Sequence, residues 1–200
     1  MQPRVILALA TETDDASVWD RIKTFPMFNA GPLVKFGFFG REGASLIRPF
    51  IATSWATNVA DLAALVDHGQ RGCVCGCYVQ IGDILEQAMR EPEPVAVVAI
   101  VGDSFHGDLD AAIATARRLR ARGTAVVFLS RQADDAFTAI AAAAGGTVLS
   151  LPPPPVERIA QRLPEGLEAV AHFATGDAKA LEALGTEPAA LLLEQIKRGA

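Results

Sequence analysis

The sequence predicts an α/β fold: a three-layer α/β/α sandwich around a mostly parallel central sheet, with one antiparallel edge strand and a helical C-terminal tail. Three observations carry this expectation. Short apolar runs alternate with longer helical patterns, the signature of βα units feeding a parallel sheet. Arg4 to Ala10, Val95 to Val101 and Thr124 to Leu129 are apolar almost throughout, as strands covered on both faces must be. Two more mixed runs flank Gly40-Arg41-Glu42-Gly43, a turn-prone string that reads as a hairpin and supplies the antiparallel edge. A chain of 200 residues suits one hydrophobic core.

Taken in order, strands are expected at 4–10, 33–39, 46–52, 95–101, 124–130 and 146–150, with the three apolar runs in the middle of the sheet. Helices are expected at 16–29, 57–67, 80–90, 108–122 and 133–143, followed by a helical tail from about 156. In the first helix, Trp19, Ile22, Phe25 and Met27 lie on a rough helical stripe. Ser17 with Asp20 three residues on fits a capping box, and Gly31-Pro32 stops the pattern. The basic cluster Arg117-Arg118-Leu119-Arg120-Ala121-Arg122 reads as the solvated last turns of a helix, where cations suit the dipole. Four consecutive prolines, Pro152 to Pro155, form a stiff connector, a docking motif being the alternative. Leu163 to Ile196 is rich in Ala and Leu, with breaks at Gly176 and at Gly185 to Pro188. It reads as two or three helices that cover the sheet or form an oligomer contact. The expected division is therefore an α/β domain over 1–151 and a Pro-rich connector with helical extension over 152–200, packed on the same domain.

Composition narrows the partners. A net charge of -5 opposes binding to a phosphate backbone, which needs clustered Lys and Arg. The longest apolar stretch, Val95 to Val101, falls far short of the ~20 residues that a membrane helix requires. No basic leader precedes Val5, so a cytoplasmic protein is expected. Cys73, Cys75 and Cys77 are the only three cysteines. A structural zinc needs a second ligand pair, and Cys-x-Cys spacing strains a disulfide. They read as small loop residues; a metal shared across a homodimer, or a redox-responsive pair, is the alternative. His68 is a weak additional ligand candidate.

Ligands of open α/β sheets collect outside the carboxyl ends of the strands. Three loops fall there: Ala10-Thr11-Glu12-Thr13-Asp14-Asp15, Cys77-Tyr78-Val79-Gln80 and Gly102-Asp103-Ser104. Their residues carry a resemblance. Val5 to Asp14, with Trp19-Asp20 in the first helix, Gln80 to Leu85 and Val97 to Asp103 resemble von Willebrand factor type A-like proteins, a Rossmann-like family. Val170 to Ala174 and Lys179 to Glu182 resemble a bacterial branch of it, so the likeness spans most of the chain.

Members of that family hold a divalent cation through an Asp-x-Ser-x-Ser loop, a Thr of a second loop and an Asp of a third, and a partner carboxylate completes the coordination. Hard cations such as Mg²⁺ suit such oxygen ligands. Carried onto this sequence, the first-loop Asp falls on Ala10 and the two Ser positions on Glu12 and Asp14. The Thr falls on Val79 and the last Asp on Asp103, the one position kept. The resemblance thus implies a degenerate adhesion site with no metal expected. If an ion binds after all, Mg²⁺ or Mn²⁺ on Glu12, Asp14 and Asp103 is the alternative. Each carboxylate also has a structural reading: Asp14 as a helix cap, Asp103 as a turn residue.

One further reading competes. Gly102-Asp103-Ser104 resembles the nucleophile block of an esterase family, in which the Ser needs a His base. Here the string follows a central strand, His106 is too near along the chain to be an obvious base, and His172 lies in the tail. Phosphate-binding glycine loops are absent from the sequence. The expected function is therefore a non-catalytic protein-binding module, with Thr11, Glu12, Thr13, Asp14, Gln80, Asp103 and Ser104 at its contact edge. That edge would be acidic and metal-free, with a partner presenting Lys or Arg to it.

Overall fold

The computed structural model describes residues 2–10, 16–26, 31–39, 50–72, 80–132, 134–151 and 156–199. The apolar run at the start forms β1 (Arg4–Ala10), whose side chains are buried from Val5 onward. On either side lie β2 (Leu33–Phe39) and β4 (Val97–Gly102), both parallel to it. Beyond β2 comes β3 (Phe50–Ala56), antiparallel, and beyond β4 come β5 (Ala125–Ser130) and β6 (Thr147–Ser150), again parallel. The order is β3-β2-β1-β4-β5-β6. The three runs expected at the centre are inside the sheet, and the antiparallel strand is at its edge.

Strand side chains alternate between faces, and each face has its own helical layer. Val5, Leu7 and Leu9 of β1, with Val97, Ala99 and Val101 of β4, share a buried cluster with α1 (Ala16–Lys23), α2 (Val59–Gly72) and α6 (Val156–Thr175). Ile6, Ala8 and Ala10 share the other with α3 (Ile81–Arg90), α4 (Leu109–Ala121) and α5 (Asp135–Ala144). Gly69 lets α2 approach β2 closely: a Cβ there would meet the Phe36 ring at 2.8 Å and the Phe38 ring at 2.9 Å. The tail forms α6, α7 (Ala178–Leu184) and α8 (Glu187–Gly199). Leu163, Leu167, Val170, Leu181 and Leu192 lie in the same cluster as Val5 and Leu7, so these helices bury their apolar stripes against the sheet layer.

Three expectations are corrected. The edge strand is described over Phe50–Ala56 and so runs four residues past the expected end at 52; residues 46–49 and the turn 40–43 lie outside the described residues. Thr53 and Ser54 disguise it as a loop, yet an edge strand tolerates polar side chains on its solvated side. Thr53 Oγ1 even accepts a 3.2 Å hydrogen bond from the Phe36 amide, at an irregularity where the register shifts between Lys35 and Gly37. The first helix stops at Lys23 rather than 29, because Pro26 biases Phe25 out of the helical region. Phe25 leaves the helix and buries its ring completely. Ser17 does not stand at the helix start that a capping box requires: the chain is already helical at Ala16, and Asp20 accepts from Lys23 at 2.9 Å. In the basic cluster, Arg117, Arg118 and Arg120 are exposed as expected. Arg122 does more, donating to the carbonyls of Met89 (2.6 Å) and Glu91 (3.0 Å) and tying the α3–β4 turn to α4.

Candidate functional site

The carboxyl ends of the parallel strands meet at one edge, and their register determines which side chains face each other there. β4 and β5 pair with Val101 opposite Leu129. Two residues further on, Asp103 stands beside Arg131. Arg131 Nε donates to Asp103 Oδ1 at 2.7 Å and its Nη2 donates to Oδ2, a two-pronged ion pair between residues 28 apart in sequence. The Asp103 side chain is 12% exposed and that of Arg131 23%, so solvent screens them less than a surface pair. Both oxygens of Asp103, read from sequence as a turn residue, accept from a guanidinium.

The loop that follows is also anchored. The Phe105 amide donates to Asp134 Oδ2 at 3.0 Å, while Asp134 Oδ1 accepts from the Ala136 amide at 2.8 Å and caps α5. One carboxylate thus serves a helix start and the neighbouring loop. Gln80 and His106 form a parallel bridge, joining the start of α3 to the same loop. Gly107, at φ 123°, turns the chain towards α4 in a conformation that a side chain would oppose, and Asp108 caps that helix by accepting from the Ala111 amide at 3.0 Å. Leu109, the first residue of α4, is 37% exposed. Asp83 in the first turn of α3 has its carboxyl pushed above the ordinary range by burial, with Arg90 partly opposing the shift.

Ser104 and His106, judged from sequence too near along the chain for His106 to be an obvious base, are in contact. Ser104 Oγ lies 3.1 Å from His106 Nε2. Two residues of separation in an irregular loop bring them together, so nearness along the chain is no barrier to contact. His172 sits near the far end of α6, on the helix that leaves this edge after β6. Of the other residues singled out from sequence, Thr11, Glu12, Thr13 and Asp14, the three cysteines and Val79 lie outside the described residues. Arg131 and Asp134 were missed. Asp134-Asp135 before a helical run is a legible cap signal, whereas Arg131 emerges only once the β4–β5 register is known.

Among the described residues, the donor set does not fit the divalent cation that intact members of the resembled family hold. Ala10, where the first-loop carboxylate would stand, is a buried methyl packed with the α3 side of the core. Asp103 is already shared by Arg131 on both oxygens. A divalent ion about 4 Å from a guanidinium meets roughly 8 kcal/mol of repulsion at an effective dielectric of 20. Among the described residues, no group of three or more His, Cys, Asp and Glu gathers to hold a metal. Nor is any described helix long and apolar enough to cross a membrane.

Comparison with protein-family models and with curated proteins gives no match. Solved structures do match. The VWA domain of SpRpn10 superposes with a TM-score of 0.53 at 13% identity, covering 78% of this chain and 92% of that one. Proximal thread matrix protein 1 of the mussel byssus, with a zinc-occupied MIDAS motif, gives 0.58 at 14% identity over 85% of this chain and 46% of its own. A von Willebrand factor type A protein from Catenulispora acidiphila gives 0.54 at 13% identity over 88% and 43%. This chain spans less than half of the latter two. At these identities the likeness establishes the fold, that of von Willebrand factor type A domains, and nothing finer.

Proposed function

Proceeding from that fold, we propose that the chain is a non-catalytic protein-binding module that meets its partner at the carboxyl edge of the sheet without a metal ion. One observation carries the reading: at this edge the one retained adhesion-site carboxylate, Asp103, is neutralised by the chain's own Arg131, while an apolar side chain, Leu109, stands exposed beside the same loop. An apolar centre rimmed by polar groups is how protein interfaces are built. Gln80 and Ser104 belong to this contact edge, as do Thr11, Glu12, Thr13 and Asp14 of the first loop. Asp103 holds Arg131 rather than facing the partner. The acids that remain in the sequence of the edge, Glu12, Asp14 and the exposed Asp110, favour a partner that presents Lys or Arg.

The experiment is capture of a partner from native extract by the immobilised chain and by its Leu109→Lys variant, with melting temperature as the folding control. A protein retained by the native chain and lost on Leu109→Lys supports the reading; equal retention by both sinks it. The Ser104–His106 contact favours a second reading, a Ser-dependent hydrolase. An ester-hydrolysis assay separates the two: turnover abolished by Ser104→Ala would replace the binding module with an enzyme, and no such turnover is expected.

A further inference from the structure

The misfit between this edge and a metal site has a positive side, because a cation is already present. We propose that the Arg131 guanidinium is a tethered cation that takes the role a divalent ion plays in metal-bearing folds of this shape, and that Arg131 itself excludes Mg²⁺ and Mn²⁺ from Asp103. This rests on the metal-free reading above and names its cause.

Three features converge on it. First, the contact is two-pronged, from Nε and Nη2 to the two oxygens of one carboxylate. That fork geometry occupies a lone pair on each carboxylate oxygen, places a positive charge against both, and is stronger than a point contact. Second, the backbone beneath Arg131 is fixed. Ser130, buried at the end of β5, donates from Oγ to the Gln132 carbonyl at 2.9 Å and accepts from the Gln132 amide at 3.2 Å. The arginine is thus flanked on both sides by one closed turn, beside a strand whose register already aligns it with Asp103. Third, a guanidinium stays charged at every pH a protein survives, so the exclusion cannot be relieved by deprotonation. At the end of β1, Ala10 offers only a methyl, paired with Gly102 at the end of β4.

The test is calorimetric titration of Mn²⁺ and of Mg²⁺ into the full chain alone, for the native protein, Arg131→Gln and the double variant Arg131→Gln with Asp103→Asn. Melting curves in EDTA establish that each is folded. The native chain is expected to give no saturable binding. Arg131→Gln is expected to gain saturable binding, since the repelling charge is gone, and the double variant to lose it again. A folded Arg131→Gln that binds no metal overturns the proposal. So does saturable binding by the native chain that the double variant lacks. Should Arg131→Gln fail to fold, the native chain still decides by NMR: Mn²⁺ that selectively broadens the Arg131 side-chain and Asp103 signals overturns the exclusion, and undisturbed signals uphold it. No partner protein is present in these titrations, so their outcome is independent of the capture experiment on Leu109.

Discussion

Carboxylates at the carboxyl edge differ sharply in what surrounds them, and that decides what each can do. Asp103 has its charge matched, Asp134 and Asp108 spend theirs on helix starts, and Asp83 is the one that burial disfavours. A carboxyl held above its unfolded value keeps its proton to higher pH in the folded chain. Stability therefore falls as pH rises through the window between the unfolded and folded values, and an ionised Asp83 is a standing cost at neutral pH. Asp83→Asn should raise the melting temperature slightly at pH 7 and leave it unchanged well below the ordinary carboxylate range. An equal rise at both pH values, or a fall at pH 7, would show that burial is not the governing influence. The cap roles were readable from sequence, since Asp before a helical run has a local cause. The Asp103 pairing was not, because its partner is 28 residues away.

Between elements, Asp134 is the joint at which α5 meets the loop after β4. Asp134→Ala removes the cap, a loss of about 1 kcal/mol at such positions, and also strands the Phe105 amide, so the total should exceed an ordinary cap deletion. Urea denaturation gives the first quantity, and faster hydrogen exchange at Phe105 reports the second; a stability loss with unchanged exchange at Phe105 would mean that the loop is held by other contacts. Other element-level features divide cleanly by legibility. The central strands declared themselves because two covered faces demand unbroken apolar runs. The end of β3 hid behind Thr53 and Ser54 and was placed four residues too early, since at an edge the polar side chains that signal a loop are equally at home in a strand. The end of α1 hung on Pro26, a stop that the apolar stripe running on to Met27 masked.

At the scale of the whole molecule, the two ends of the sheet carry separate tasks. Opposite the candidate edge, Lys35 of β2 donates to Glu91 at 2.7 Å with Gln87 donating to the same oxygen at 2.8 Å, and Glu91 is only 5% exposed. Lys35 also lies 4.8 Å from the centre of the Trp55 ring, with Arg4 at 5.2 Å from the same ring. Removing one partner of a buried ion pair typically costs about 3–5 kcal/mol, and the remaining Gln87 contact places Lys35→Ala towards the lower value. Urea unfolding should show that loss while partner capture by the folded variant stays unchanged; impaired capture would mean that the ends are coupled. The sequence by itself determined the layer order of this protein: which runs are central strands, which face helices cover, and that helices follow in the tail. Those properties depend on hydrophobic period, a local quantity. Ala10 and Val79, onto which the resemblance carries two ligand positions, have no side-chain oxygen. Only the tertiary structure decided what became of the surviving carboxylate, because the pairing of Asp103 with Arg131, like the meeting of Phe105 with Asp134, follows from strand register and the path of loops across the sheet edge, and neither is written in any local stretch of the chain.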